Sequence, residues 1–190
     1  MKRFLDFCTA VFCLIIFSPL LLICYIAVRL EDGGPAIYKQ ERIGLGGKPF
    51  NIYKFRSMEV NAEDEEPLLF QHENDQRLTR VGKFLRAHHL DELPQLWNVA
   101  IGDMAFIGPR PERKYYIDKI MEHDPRYERL YALRPGVTSY ATLHNGYTDT
   151  MEKMLIRLEM DLYYLEHCSL WLDIKILMQT FFSIISGRHF

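Results

Sequence analysis

The sequence has no surplus of positive charge. Its formal net charge at pH 7 is −2, which excludes the broad basic surface of a generic nucleic-acid binder. Cysteine is scarce: Cys8, Cys13, Cys24 and Cys168 are the four in 190 residues, and no pair has zinc-ligand spacing. Three of them fall in an apolar N-terminal run, so they read as small buried hydrophobes of a chain kept in a reducing compartment. There is no internal repeat, no low-complexity tract and no domain linker, and a chain of this length suits one core. The glycine-dense stretch GLGG at 44–47 lacks the lysine-serine ending of a nucleotide-binding loop, and no helical pattern follows it.

What is present is unevenly spread, with apolar residues concentrated at the two ends. From Phe7 to Val28 there are 22 residues without a formal charge, long enough to cross a bilayer as a helix. Lys2 and Arg3 precede the run and Arg29 follows it, so the flanks do not choose an orientation. No small-x-small site closes it, which argues against a cleaved signal peptide. Ser18-Pro19 interrupts it. A mid-helix proline removes one hydrogen bond and crowds the preceding turn. In lipid the freed carbonyl needs another donor, and the Ser18 hydroxyl is at hand. On these residues alone a single span and a re-entrant helix stand level.

EDGGPA at 31–36 is a turn cluster. The following AIYKQERIGLGGKPFNIYKFRSM reads as a two-stranded hairpin whose apolar members are Ile37, Tyr38, Phe50, Ile52 and Phe55. Lys54 and Arg56, two apart, are expected on one face. The acidic run EVNAEDEEPLLFQHENDQ that begins at Glu59 reads as a solvated loop, and no metal role is expected for Glu63, Asp64, Glu65 or Glu66. LTRVGKFLRAHHL is a short amphipathic helix with Leu78, Val81, Phe84 and Leu85 on its apolar face, and it aims Arg86 toward the residues that follow. A mixed-charge helical region from Glu112 to Leu133 breaks at Asp124-Pro125. Its basic residues and tyrosines suit either a solvated face or a headgroup surface. RPGVTSYATLHNGYTDT is a loop or short strand, and MEKMLIRLEMDLYYLEHC is a helix. The closing helix places Leu170, Ile174, Leu177, Met178, Phe181 and Ile185 on one face. That face packs on the core or lies in the membrane plane.

The chain turns on the stretch from Arg86 to Pro111, RAHHLDELPQLWNVAIGDMAFIGPRP. Leu90, Leu93, Leu96, Trp97 and Val99 give it one apolar face. Pro94 belongs in a helix's first turn, which puts Asp91 and Glu92 at a helix N-terminus. Asp91 could cap that helix and Glu92 complement its dipole. Alternatively the helix start receives phosphate, with Mg²⁺ between phosphate and the two carboxylates and Arg86 and Arg110 supplying further positive charge. His88 and His89 invite a general-base reading, although structural histidines are common. Asp103 is expected to hold a turn through an Asx hydrogen bond. In Pro109-Arg110-Pro111 two prolines stiffen the backbone around one guanidinium, which suits a diphosphate or nucleotide.

LDELPQLWNV, GDM and IGPRP, together with KFRSM at 54–58, RPGVT at 134–138 and SLWLDIKIL at 169–177, resemble in order and spacing the bacterial sugar transferases, the small monotopic phosphoglycosyl transferases. The resemblance covers essentially the whole chain. It implies an α+β fold: a re-entrant membrane helix over residues 1–30 broken at Ser18-Pro19, then a compact, mostly helical catalytic domain over 31–190 with a small β-hairpin and interfacial amphipathic helices. It places that domain on the cytoplasmic face of the bacterial inner membrane. It implies transfer of a sugar phosphate from a UDP-sugar to polyprenyl (undecaprenyl) phosphate with release of UMP, through a covalent phosphosugar–aspartate on Asp91. Asp91 and Glu92 would be the catalytic and Mg²⁺-holding residues, and Lys54, Arg56, Arg86 and Arg110 the phosphate contacts. Direct transfer in a ternary complex with Asp91 only a metal ligand, a non-catalytic membrane scaffold, and a single-span protein with an unrelated hydrolase domain are the alternatives. The family usually has glycine where this chain has Ser139, in the region expected to see the sugar, so the sugar is left open.

Overall fold

The computed structural model describes residues 2–60, 62, 75–146, 148 and 150–186, so Glu63, Asp64, Glu65 and Glu66 lie outside the described residues. It opens on helices α1 (Lys2–Ile16) and α2 (Ser18–Asp32), bent by 64° at Phe17. Pro19 has no amide hydrogen to offer the Ile15 carbonyl. The Ser18 hydroxyl donates to that carbonyl instead, at 2.8 Å. On either side the Phe17 amide bonds the Cys13 carbonyl and the Leu21 amide bonds the Phe17 carbonyl, each at 2.8 Å. The bend therefore leaves little backbone unsatisfied, as lipid requires. Each arm has 15 residues and reaches about 22 Å, against about 30 Å of hydrocarbon. No single helix among the described residues is long and apolar enough to cross a membrane.

Both ends of the bent pair dock on the same body. Lys2 Nζ donates to the Asp173 carboxylate at 2.7 Å, the Tyr164 hydroxyl at 2.9 Å and the Ile107 carbonyl at 3.1 Å. The Arg3 guanidinium donates to the carbonyls of Val99 and Ala100. At the far end the Glu31 carboxylate accepts the Val81 amide at 3.0 Å, and Asp32 takes the Arg56 guanidinium with both oxygens. Between these ends Ala10, Cys24 and Val28 are buried, whereas Phe4, Phe7, Phe12, Ile15, Leu22 and Ile23 face outward. The cysteines correct an expectation: all four are free thiols, but only Cys24 is buried, and Cys8 and Cys168 are exposed.

The hairpin forms as its alternation predicted, with β1 (Ile37–Ile43) antiparallel to β2 (Pro49–Phe55) and Ile37 opposite Phe55. Helix α3 (Arg80–Ala87) and helix α4 (Gln95–Ile101) follow. Ile52 of β2 and Val99 of α4 share one core with Ala10 of α1 and Met104. A second sheet pairs β3 (Ala105–Ile107) parallel to β4 (Gly136–Thr138). This pairing was not legible, because two three-residue strands far apart in sequence carry no pattern of their own. Its glycines permit it: a Cβ on Gly108 would lie 2.1 Å from the Arg134 carbonyl oxygen.

Between those strands run α5 (Lys114–His123) and a 3-10 stretch over Pro125–Ala132, broken at Asp124-Pro125 as expected. Helix α6 (Tyr140–Asn145) and helix α7 (Met151–His167) come next. Ile117, Ile120, Tyr127, Leu158 and Leu162 form the core between α5, the 3-10 stretch and α7. The last helix, α8 (Leu170–Ile185), turns Asp173 and Ile176 inward and leaves Leu170, Trp171, Ile174, Leu177, Met178 and Phe181 exposed. That apolar face does not pack on the core.

Candidate active site

Thr79 caps α3, its hydroxyl oxygen accepting the Gly82 amide at 2.9 Å. A Cβ on Gly82 would lie 2.0 Å from the Ser57 carbonyl oxygen, so only glycine allows this helix to press against the end of the hairpin. The approach brings Arg86 Nε to the Ser57 hydroxyl at 2.8 Å. After α3, His88 folds back onto its own helix, with Nδ1 2.8 Å from the Phe84 carbonyl and its ring 4.3 Å from that of Phe84. His89 takes φ 54°, the one positive φ outside glycine among the described residues. A histidine held there stores about 1–3 kcal/mol of strain, and the residues it redirects are the two acids.

Leu90–Glu92 form a single 3-10 turn, and α4 begins after Pro94. The acids thus lie just ahead of α4 rather than in its first turn, and neither caps it. Asp91 is only 6% exposed. Burial raises its carboxyl above the ordinary value, Lys54 opposes this, Glu92 adds to it, and Arg86 and His89 pull it down. These neighbours act through charge; no described residue hydrogen-bonds the Asp91 carboxylate. Glu92 behaves in the opposite way. Lys54 Nζ lies 2.6 Å from its Oε1. Burial alone would raise this carboxyl, but Lys54 and then Arg110 hold it down at about 2. Adjacent carboxyls whose environments push their proton affinities apart are what divided roles at one centre require.

Asn98 brings the two halves together, and sequence reasoning missed it. It is fully buried; its Oδ1 accepts the Tyr53 amide at 3.0 Å and its Nδ2 donates to the Asn51 carbonyl at 2.7 Å. The side chain thereby pins α4 to the β2 edge beside Lys54. The available signal was an amide inside the apolar run LWNVAI, where a buried polar group implies fixed partners. The Asn98 carbonyl also gathers the amides of Gly102, Asp103 and Met104 at 3.0–3.2 Å. That turn is thus held from Asn98, not through an Asx hydrogen bond from Asp103.

Among the expected phosphate contacts, Lys54, Arg86 and Arg110 all act on the acid pair. Arg56 is placed elsewhere. It lies just past β2, 6% exposed, with its guanidinium on Asp32 and its Nε on the Pro35 carbonyl at 2.8 Å. The alternation correctly put it two residues from Lys54, but the strand ends at Phe55, so the shared face ends too. Ser139 is 1% exposed and caps α6, accepting the Thr142 amide at 2.9 Å; its hydroxyl is used inside the fold.

A buried Asp91 beside a partly exposed Glu92, with a lysine and two arginines acting on them, makes a site suited to an anionic, phosphate-bearing substrate. The comparisons agree with that class. A family model described as bacterial sugar transferase matches residues 1–187, and the chain belongs to that family. It is 41% identical over 186 residues to the UDP-N-acetylgalactosamine-undecaprenyl-phosphate N-acetylgalactosaminephosphotransferase of Aeromonas hydrophila, covering 98% of this chain and 44% of that protein. It is 42% identical over 187 residues to the UDP-glucose:undecaprenyl-phosphate glucose-1-phosphate transferase of Caulobacter vibrioides, covering 97% of this chain and 70% of that protein. The Escherichia coli protein of the same description is 41% identical over 184 residues, with 96% of this chain and 39% of that protein covered.

Proposed function

We propose that this chain moves a sugar phosphate from a UDP-sugar to undecaprenyl phosphate at the cytoplasmic face of the inner membrane. The observation that carries this is the acid pair: a buried Asp91 that takes no hydrogen bond from the described residues, beside a Glu92 held ionised by Lys54 and Arg110. A carboxylate with few donors and little solvent around it is a better nucleophile than a fully solvated one. An Asp91 oxygen attacks the β-phosphorus of the donor, the bond to the bridging oxygen breaks, and UMP leaves. The lipid phosphate oxygen then attacks the same phosphorus and frees the carboxylate. Lys54, Arg86 and Arg110 offset charge on the transferring group, which is where phosphoryl transfer is helped most.

The donor set fits Mg²⁺ shared with substrate. Among the described residues no cluster of three or more His, Cys, Asp or Glu could hold a metal alone, whereas Mg²⁺ commonly takes one or two carboxylates plus phosphate oxygens. Asp91 and Glu92 are the residues that would hold it, and it would neutralise diphosphate charge. For the membrane, the support is that Lys2, Arg3, Glu31 and Asp32 all bind one body, with an apolar bend between them. That favours a pair that dips into the bilayer and returns. The test is UMP release by the purified chain with UDP-N-acetylgalactosamine or UDP-glucose, Mg²⁺ and undecaprenyl phosphate. Release that is lost in Asp91→Asn and with EDTA supports the reading. Folded protein that turns over neither donor returns attention to a scaffold.

A further inference from the structure

Asn98 sits inside the apolar run LWNVAI and is fully buried, a place that an apolar residue ordinarily fills. Its partners show what the amide is used for. Among the described residues β2 pairs with β1 along one edge only. Main-chain groups of residues two apart in a strand point to the same edge. The Tyr53 amide and the Asn51 carbonyl are such a pair. Both are bonded to the Asn98 side chain, the amide at 3.0 Å through Oδ1 and the carbonyl at 2.7 Å through Nδ2. A carboxamide offers an acceptor and a donor side by side, as the main chain of a neighbouring strand does. Asn98 thus stands at the outer edge of β2 where a third strand would otherwise pair.

That stance fixes a register. A slip of one residue would offer main-chain groups that point toward β1, so the next position able to hold the carboxamide is two residues along, about 7 Å away. Lys54 directly follows Tyr53, and its Nζ lies 2.6 Å from Glu92 Oε1. Glu92 stands six residues ahead of Asn98 on the other segment. The same two stretches of chain are therefore joined twice, by the carboxamide and by the ion pair, and the carboxamide decides which residue of β2 meets the acid. We propose that Asn98 is a positioning residue for the transfer reaction: its side chain sets the register of β2 against α4 and so delivers the Lys54 ammonium to Glu92. The inference rests on the role given to Lys54 above.

The test uses the full chain in detergent with Asn98→Ala, Lys54→Ala and the double variant. Asn98→Ser is read as Asn98→Ala is, should the alanine prevent folding, because its hydroxyl is one bond shorter and does not reach both strand groups. The first readout is the rate at which an amine-acylating reagent modifies Lys54, followed by mass spectrometry well below the Tm of each variant. In Asn98→Ala that rate is expected to rise to the one found in Glu92→Ala, where the ion pair is removed outright, while the exposed Lys83 keeps its rate. A merely structural role would lower Tm and leave the Lys54 rate where it was. The second is kcat/KM for UMP release with whichever of the two UDP-sugars the native chain uses. Asn98→Ala is expected to lose roughly 10²-fold, as for a displaced catalytic group. In the Lys54→Ala background the same change should cost little, because two residues acting as one unit are not additive. An unchanged Lys54 rate in Asn98→Ala, or losses that multiply in the double variant, overturn the proposal. If neither donor is turned over, the catalytic reading fails on its own, and the labelling still decides whether Asn98 places Lys54.

Discussion

Asp91 and Glu92 are neighbours in the chain, yet the protein pulls their proton affinities apart. The cause is local: Lys54 touches Glu92 at 2.6 Å and reaches Asp91 only through its field. Asp161 is another perturbed acid, and it has a measurable consequence. Its carboxyl, ordinarily near 3.8, is pushed up to about 7 by burial. The folded chain therefore holds a proton that the unfolded chain has released. The stabilisation this gives is full below pH 3.8, shrinks as pH rises and is gone above about 7, a swing of about 4 kcal/mol. Asp161→Asn cannot ionise. Its Tm is expected to exceed that of the native chain at pH 8, with the margin narrowing toward pH 5, as thermal unfolding in detergent would read.

At the scale of elements the bend in the N-terminal pair has one cause. Pro19→Ala would restore the amide that bonds the Ile15 carbonyl and join α1 and α2 into one helix. That helix is long enough to span, so a protease-cleavable tag fused ahead of Met1 is expected to become accessible from the periplasmic side, while the same tag on the unsubstituted chain stays protected. Unchanged protection would mean that the docking of Lys2 and Arg3 outweighs helix continuity. This break was legible because proline acts through its own backbone, and so were the hairpin and the existence of α3, which depend on periodicity within a few residues, although Phe84, expected on the apolar face of α3, is exposed. Less of the rest could be read. Asn98 works through partners 45 and 47 positions away, and Arg56 is claimed by Asp32, 24 positions back. Which charge meets which is set by how the pair docks on the hairpin, and no local pattern encodes that.

Taken whole, the molecule wears much of its apolar surface outside. Trp97 and Ile101 of α4 are about half exposed, Phe4, Phe12 and Ile15 of α1 about two-thirds, and Trp171 of α8 is 77% exposed. Apolar side chains exposed in this number suit a lipid-binding surface. In flotation with phosphatidylglycerol vesicles the chain is expected to rise with the lipid. Trp171→Glu with Phe181→Glu is expected to weaken that without lowering Tm, since neither side chain packs inside.

Arg3 closes the last carbonyls of α4, and Glu31 fills an amide at the start of α3. The acid pair hangs on the short link between these two helices, and helix ends with unfilled groups fray. A chain whose first two helices never found their seat would lose both clasps together, leaving the carboxylates without a fixed address. The seating of the N-terminal pair therefore helps to set where Asp91 and Glu92 stand.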